Sequence, residues 1–425
     1  MRNTFTRITA VAVFCLSCAF PLAGTAAAEA GSAQSQAPGS LRVFLLDAKY
    51  LQSARQQLRA GDKSLAPALT QLERDAQAAL DAGPFSVVNK KVTPPSGDKH
   101  DYMSQAPYFW PNPATTNGLP YVRRDGERNP EINRISDHRR LDQMAEAVET
   151  LALAFYFKGD EACADRAARL LRAWFFEPAT RMNPNLQYAQ AVLGVNNGRG
   201  IGLIESRALT RVVDAVGLLA GAKAWTPADQ SQLQDWFAQF LRWMQESKNG
   251  HEEAAARNNH GTYYDVQAVS FALFLGKVDL ATDIARAARE KRIAVQIEPD
   301  GRQPLELVRT KTWSYSVMNL SGLMSLATLG ELVSVDLWHF QTRDDRSLGK
   351  ALDYLAPFAL GQQKWPHRQI GGWPPEMLFP LLRQAALKLP DRKYRDWVKP
   401  LPPVEQSNRS NLLRPKVMEQ LDTGK

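Results

Sequence analysis

The sequence predicts an all-α protein built from antiparallel helical hairpins. Apolar residues recur at helical spacing in one segment after another, and the alternation typical of strands is almost absent. A unit of an aromatic helix, a glycine turn and an alanine- and arginine-rich helix also occurs twice, as AFYFKGDEACADRAARLL and as SFALFLGKVDLATDIARAA. Several such hairpins in one chain can stack as a solenoid or close into an α/α toroid.

The predicted helices follow one another along most of the chain. They cover 139–157, 161–176, 206–220, 226–246, 266–275, 280–292, 305–332, 348–358 and 376–389. The segments 139–157 and 161–176 form the first hairpin, and 266–275 and 280–292 form the second. The start at Thr226 is well defined, because threonine is a favourable N-cap and Pro227 suits the first helical position. We expect Asn249-Gly250 to end that helix.

The first 30 residues have the pattern of a secretory signal peptide. Arg2 and Arg7 precede a short apolar stretch over 8–20, and small residues then offer cleavage sites after Ala28 or Ala30. No later segment is apolar for long enough to cross a membrane. The pattern predicts a periplasmic or secreted protein with no stable membrane association.

The net charge indicates the class of partner, and the cysteine count shows whether a disulfide can form. The chain carries a formal net charge of +8, which favours an anionic partner. No basic run interleaved with aromatic residues is present, so nucleic acid is not expected. After loss of the signal only Cys163 remains, which excludes an internal disulfide. An acidic polysaccharide suits an exported basic protein best.

Three clusters of residues could carry chemistry. The segment 100–111 (HDYMSQAPYFWP) lies in a long stretch, 83–135, with little helical period, and its aromatic, hydroxyl and amide groups suit the apolar faces and polar rim of a sugar. The segment 257–264 (RNNHGTYY) falls between two helices, where side chains can converge on a cleft. In the third, Arg309 and Tyr315 are six apart, so they act together only if the helix begins irregularly between them.

These segments resemble the alginate lyase superfamily of α/α-toroid polysaccharide lyases. The resemblance rests on HDYMSQAPYFWPNP (100–113), MNPNLQYAQAVLGVNNGR (182–199), the Asn-Asn-His at 258–260, and Arg309 with Tyr315. It implies an (α/α) toroid, an incomplete barrel of antiparallel helical hairpins, over 31–395, followed by an extended C-terminal tail, 396–425. One departure from the family pattern is Ser316, because a histidine directly follows the catalytic tyrosine in its best-known members.

The resemblance also implies a catalytic group. Carried over residue by residue, it consists of Asn259, His260, Arg309 and Tyr315. In β-elimination from a uronate, negative charge develops at the carboxylate and must be stabilised. Asn259 and Arg309 can supply the hydrogen bonds and positive charge for this. It also needs a base for the C5 proton and an acid for the leaving O4. Where both lie on one side of the ring, Tyr315 can serve as both, with His260 assisting or acting as base for the opposite geometry.

Residues around this group are predicted to contact the substrate. They are Tyr102, Gln105, Tyr108, Trp110, Tyr188, Gln190, Asn197, Arg199, Asn258, Tyr264, His367 and Trp373. The six histidines show no spacing typical of metal ligands, so neither a metal nor another cofactor is expected.

Other functions remain open at this point. The chain could be a lyase for glucuronan or another polyuronate. A hydrolase would need paired acids across a cleft, and the available acids, Asp101, Asp137, Glu205 and Asp265, show no recognisable pairing. A non-catalytic glycan-binding helical protein would give no unsaturated product.

Overall fold

A computed structural model describes residues 41–414, so the predicted signal peptide and residues 415–425 lie outside the described part of the chain. The α-helices are α1 (Ala48–Arg59), α2 (Ala66–Leu80), α3 (Asp137–Lys158), α4 (Glu161–Phe175), α5 (Leu209–Leu218), α6 (Pro227–Glu246), α7 (Lys248–Ala254), α8 (Asn259–Phe274), α9 (Val278–Ala288), α10 (Ala294–Gln296), α11 (Pro304–Leu307), α12 (Thr312–Glu331), α13 (Leu348–Ala359), α14 (Phe379–Lys388), α15 (Arg392–Val398) and α16 (Ser410–Leu413). Four short strands are β1 (Met103–Gln105), β2 (Phe109–Trp110), β3 (Val122–Arg123) and β4 (Tyr188–Ala191).

The helices form two layers. Helices α3, α5, α8 and α12 are neighbours in chain order. In α8 fourteen of sixteen residues are buried, and the two exceptions are His260 and Tyr263. Helix α9, by contrast, buries only Ala281, Ala285 and Ala288, one face of three turns. A helix buried all round belongs to an inner layer and an amphipathic helix to an outer one, which confirms the predicted toroid of hairpins.

Both predicted hairpins are present. Gly159 joins α3 to α4 with a φ of 73°, and Gly276 joins α8 to α9 with a φ of 71°. Glycine adopts this left-handed conformation without steric cost, which is why the chain reverses at these two positions.

Helix α8 begins at Asn259, seven residues before the predicted start at 266, so most of the segment 257–264 lies in its first turns and not between two helices. The Asn258 side chain accepts the His260 N–H at 3.2 Å and caps this earlier start.

Two further helix boundaries differ from the predicted ones. The residues 249–250, expected to end a helix, lie inside α7, because the Ser247 hydroxyl accepts the Gly250 N–H at 3.0 Å and caps a new helix. The run 305–332 is interrupted between α11 and α12. There the carboxylate of Asp125 takes the Thr310 N–H at 3.0 Å, so this segment bonds to a distant loop.

The C-terminal segment is less extended than the predicted tail. It forms α15 and α16, and Leu412 is completely buried. The Asn411 carbonyl accepts the Tyr50 hydroxyl at 2.7 Å, and Arg409 donates to the Thr150 hydroxyl at 2.6 Å. This segment therefore closes onto the N-terminal helices.

The strands bring two distant segments together. β1 pairs with β4 in parallel, with Met103 opposite Tyr188, and β2 pairs with β3 in antiparallel. The segment 102–110 thus lies beside 188–199, which places the aromatic loop at one end of the inner helices. None of the helices within 41–414 is long and apolar enough to span a membrane.

The cap of α6 gives a first testable expectation. The Thr226 hydroxyl accepts the Asp229 N–H at 3.2 Å and the Asp229 carboxylate accepts the Thr226 N–H at 2.9 Å, a complete capping box. We expect Thr226→Ala to lower the free energy of unfolding by about 1 kcal/mol. Chemical denaturation measures this loss, and Thr116→Ala, at an exposed turn, serves as the control.

Candidate active site

The N-terminal ends of α8 and α12 meet at one end of the toroid. The Thr262 hydroxyl donates to the Asn319 side-chain oxygen at 2.8 Å, and the Tyr263 hydroxyl donates to the Met318 carbonyl at 3.2 Å. Thr262 and Tyr263 lie in the first two turns of α8, and Met318 and Asn319 lie in the second turn of α12, so the N-terminal parts of the two helices are in contact. His260, in the first turn of α8, and Tyr315, in the first turn of α12, therefore lie at the same end.

A buried carboxylate orients His260. Nδ1 of the imidazole lies 2.9 Å from Oε1 of Glu253, whose side chain is completely inaccessible. Burial raises the pKa of Glu253, although the hydrogen bond and charge of His260 oppose the rise. An ionised carboxylate can only accept, so Nδ1 carries the proton and the lone pair is on Nε2. Among residues 41–414 nothing bonds to Nε2, which can therefore act as a proton acceptor.

A second buried carboxylate holds Asn259. Glu306 accepts the Asn259 backbone N–H at 2.7 Å and its side-chain Nδ2 at 2.8 and 3.0 Å. Asn259 is completely buried and its Oδ1 has no partner among the described residues. Asn259 is thus tied to Glu306, and the predicted contact with a substrate carboxylate would use the second hydrogen of Nδ2.

Arg309 and Tyr315 form one connected group. The Arg309 guanidinium donates to the Tyr315 hydroxyl at 2.8 Å and lies 3.8 Å from the centre of its ring. Its Nη2 and Nε atoms also donate to Oδ1 of Asp125, at 2.8 and 3.1 Å. Burial would raise the pKa of Asp125, but hydrogen bonds from Arg309, the Thr310 N–H and Arg123 hold that pKa well below its usual range. Arg309 and Tyr315 are six residues apart and can act together only if the helix begins irregularly, and the contacts of Asp125 with Arg309 and Thr310 hold that irregular start.

The Tyr315 hydroxyl donates in turn to the Tyr108 hydroxyl at 2.9 Å. Burial raises the pKa of Tyr315, and the hydrogen bond and charge of Tyr108 raise it further, while the positive charge of Arg309 lowers it. Tyr315 with this raised pKa is a neutral phenol that can donate a proton. A substrate group in place of Tyr108 would remove one of the contributions that raise this pKa.

Arg199 supplies a second cation in the same region. Its guanidinium donates to the Gln190 carbonyl at 3.1 Å and to the Gln190 side-chain oxygen at 2.9 Å, and lies 5.0 Å from the Phe109 ring centre. Gln190 adopts a φ of 51°. Burial lowers the pKa of Arg199 to about 10, and the nearby positive charge of Arg123 contributes. At neutral pH Arg199 stays charged and poorly hydrated, which favours a carboxylate ligand.

Two of the predicted contacts have hydroxyl groups that bond to partners in the core. Tyr102 is completely buried and its hydroxyl donates to Glu205 at 2.8 Å. Tyr264 is also buried, and its hydroxyl donates to the Met244 carbonyl at 3.0 Å. Both hydroxyls are thus used inside the protein, and the structure does not support a substrate contact for either, because aromatic residues on a core face resemble those of a cleft in sequence. Gln105 is buried too, with Nε2 unpartnered among the described residues.

The other predicted contacts fall into two regions. Tyr108, Trp110, Tyr188, Gln190, Asn197, Arg199 and Asn258 lie on the paired loops or at the start of α8. His367 and Trp373 lie apart from them, in an aromatic cluster at the start of α12. There the Trp373 ring centre is 4.4 Å from that of Trp313, and His367 Nε2 is 2.7 Å from the Tyr354 hydroxyl.

Sequence reasoning missed the carboxylates behind the site. Glu253, Glu306 and Asp125 each bond to one of the predicted catalytic residues. Their spacing to those residues follows no motif, because each reaches the site from a separate element. The only sequence signal was that Asp125 stands among arginines in the long aromatic loop.

An α/α toroid with a histidine, a tyrosine and arginines at one end of its inner helices defines a polysaccharide lyase. A family model described as alginate lyase matches residues 86–365. The chain belongs to the alginate lyase family.

Solved structures agree with this assignment. An alginate lyase from Bacteroides ovatus shares 39% sequence identity, with a TM-score of 0.84, over 88% of this chain and 99% of that chain. Alginate lyase A1-III from Sphingomonas species A1 has a TM-score of 0.52 at 14% identity, over 89% of this chain and 98% of that chain. A variant of A1-III complexed with a tetrasaccharide has a TM-score of 0.56 at 14% identity, with the same coverage. The likeness to A1-III shows the fold alone. A search of curated proteins found no match.

Proposed function

We propose that this lyase cleaves a 1,4-linked polyuronate of the alginate (mannuronan) type by β-elimination and leaves 4,5-unsaturated uronate ends. The observation that supports this most directly is the Arg309–Tyr315 hydrogen bond beside a histidine whose free nitrogen is set by Glu253. Together they offer a cation, a proton donor and a proton acceptor within one cleft. Residues 1–30 further support export to the periplasm or the medium.

The first step of the proposed mechanism is stabilisation of negative charge. When the C5 proton is removed, negative charge builds up on the neighbouring carboxylate. Hydrogen-bond donors in fixed positions must therefore bind that carboxylate. Arg309 is fixed by Asp125 and can receive that charge without reorganising. Arg199, held by Gln190, supports the proposal that adjacent uronates are bound along the same cleft.

Proton transfer comes next. In mannuronate the C5 proton and O4 lie on one side of the ring, and Tyr315 takes the first and returns a proton to the second. Because burial favours the neutral phenol, its own proton must first pass to solvent when substrate displaces Tyr108; the phenolate then takes the C5 proton and returns it to O4. Where the two groups lie on opposite faces, Nε2 of His260 accepts the C5 proton and Tyr315 donates to O4.

The alternatives are less well supported. The acids that a hydrolase would need are engaged inside the protein: Asp137 with Lys90 at 2.9 Å, Asp265 with Arg292 at 2.7 Å, and Glu205 with Tyr102 at 2.8 Å. Ser316, the departure from the family pattern, is buried. It therefore adds no new side chain to the cleft, and glucuronan stays the second candidate substrate.

A panel of purified polymers tests the proposal. Mannuronan, guluronan and glucuronan are incubated with the enzyme, and the unsaturated product is followed by its ultraviolet absorbance. We expect mannuronan to give the fastest rise. Saturated reducing ends alone would contradict the elimination chemistry, and a faster rise with glucuronan would move the substrate assignment to the alternative.

The pH dependence follows from Glu253. Its ionised form fixes the proton of His260 on Nδ1, and burial raises its pKa. Protonation of Glu253 on acidification should therefore begin above the ordinary range of a glutamate, about 4.3. We expect kcat to fall on the acid side with a midpoint above that value. A profile that stays flat down to the ordinary glutamate range would contradict this role.

A further inference from the structure

The connection between α7 and α8 sets the geometry of the Glu253–His260 pair. Glu253 lies in the last turn of α7 and His260 in the first turn of α8, and residues 255–258 connect the two helices. Their hydrogen bond of 2.9 Å therefore depends on how the end of one helix is held against the start of the next. A shift of about 1 Å in such a pair can lower a rate by roughly 10²-fold.

One guanidinium ties these two helices together. Arg292 donates through Nε and Nη2 to the Asp265 carboxylate on α8, at 2.7 and 3.0 Å. Nη2 also donates to the Ala254 carbonyl, the last residue of α7, at 2.8 Å, and Nη1 donates to the Ala256 carbonyl at 2.7 Å. The Arg292 side chain is 4% exposed. A lysine has the charge but lacks the planar fork that reaches three partners at once.

Two features of the backbone are built around this guanidinium. A π-helical turn, Arg289–Ile293, interrupts the helix that begins as α9, with the Ala294 N–H bonded to the Arg289 carbonyl. A π turn adds a residue, which rotates the side chains that follow by about 100°. On the other side, a Cβ at Gly261 would lie 2.4 Å from Arg292 Nη1, so glycine leaves the room that the guanidinium occupies.

We propose that Arg292 is a positioning residue for the lyase reaction: it holds the end of α7 against α8 so that Glu253 stays bonded to His260. Its positive charge also opposes the rise that burial causes in the Glu253 pKa. Arg292 bonds only to protein groups behind the site, so it acts through the pair and not on the substrate. The inference rests on the proposed function, since it concerns the same histidine.

Arg292→Lys tests this, with Arg172→Lys as the matched control. Arg172 also forks onto a carboxylate, Asp229, at 2.7 and 2.8 Å and donates to the Ala224 carbonyl at 2.7 Å, in a different part of the toroid. We expect both variants to lose thermal stability. Only Arg292→Lys should lower kcat, by at least roughly 10-fold, with KM changed by less than about twofold, because substrate contacts are untouched.

A spectroscopic readout follows the pair without reference to activity. In protein labelled with ¹⁵N-histidine, His260 should be in the Nδ1–H form in the wild type and in Arg172→Lys. In Arg292→Lys that signal should be lost or averaged with the other form. If Arg292→Lys does not fold, Asp265→Asn replaces it, because it keeps the shape of the partner and weakens its hold on the guanidinium. It should show a smaller loss of kcat at unchanged KM.

The outcomes separate the two proposals. Unchanged kcat per folded molecule and an unchanged His260 signal in the Arg292 or Asp265 variant would overturn the positioning role while the lyase assignment stands. A wild-type enzyme that forms no unsaturated product from any polyuronate would overturn the proposed function. In that case the histidine spectra still show whether Arg292 holds the pair.

Discussion

Tyr315→Phe should lower kcat by roughly 10²–10⁴-fold, the range typical of a lost general acid or base. The change removes only the hydroxyl, which receives a hydrogen bond from Arg309 and donates one to Tyr108. The ring remains against the guanidinium, so the packing at the start of α12 is kept. Polymer binding should stay near that of the wild type, because the arginines and aromatic loops are unchanged.

The control for this variant is Tyr264→Phe. Tyr264 is also a tyrosine on an inner helix, but its hydroxyl bonds to the Met244 carbonyl in the core. Loss of that hydrogen bond should cost about 1 kcal/mol of stability and leave kcat unchanged. Melting temperature and kcat measured on both variants separate a chemical role from a packing role. If Tyr315→Phe keeps more than about a tenth of the wild-type kcat, Tyr315 leaves the mechanism and His260 becomes the main candidate.

Glu253→Gln should have the second large effect. Glutamine keeps the volume of the side chain but presents either an oxygen or an NH₂ group to Nδ1 of His260. The proton is then no longer confined to Nδ1, and the charge that stabilises an imidazolium is gone. We expect kcat to fall by at least roughly 10²-fold, with the larger loss on a polymer for which His260 is the base.

Glu252→Gln is the neighbouring control. Glu252 is exposed, accepts the Gly200 N–H at 3.2 Å, and can keep that contact as an amide. It should retain wild-type kcat. A Glu253→Gln enzyme that is as active as Glu252→Gln on every polymer would show that the buried carboxylate does not set the state of His260.

The helical architecture could be predicted from the sequence because it depends on local signals. Gly159 and Gly276 mark reversals that only a residue free to adopt positive φ makes easily, and Thr226 with Asp229 marks a helix start. The prediction failed where a distant group decides the backbone. The break before α12 depends on Asp125, which is 185 residues from Thr310 in sequence.

The residues that we propose to react could be named from the sequence, but the residues that hold them in place could not. His260, Arg309 and Tyr315 stand in segments whose residue types resemble a known family. Glu253 and Glu306 carry no such signal, because a buried acid is recognised only by its partner in space. The same limit explains Tyr102 and Tyr264: a tyrosine that faces the core and one that faces a cleft are the same letter in a sequence.

The meeting of the N-terminal ends of α8 and α12 also has an electrostatic consequence. The aligned peptide groups of a helix place roughly half an elementary positive charge at its N-terminal end. Because both inner helices begin at the site, the positive ends of their macrodipoles lie together, and their fields add where a polyanion would lie. Side chains such as Arg309 then reinforce a potential that the backbone already provides. A toroid of this kind is therefore suited to acidic polymers before any particular residue at its rim is chosen.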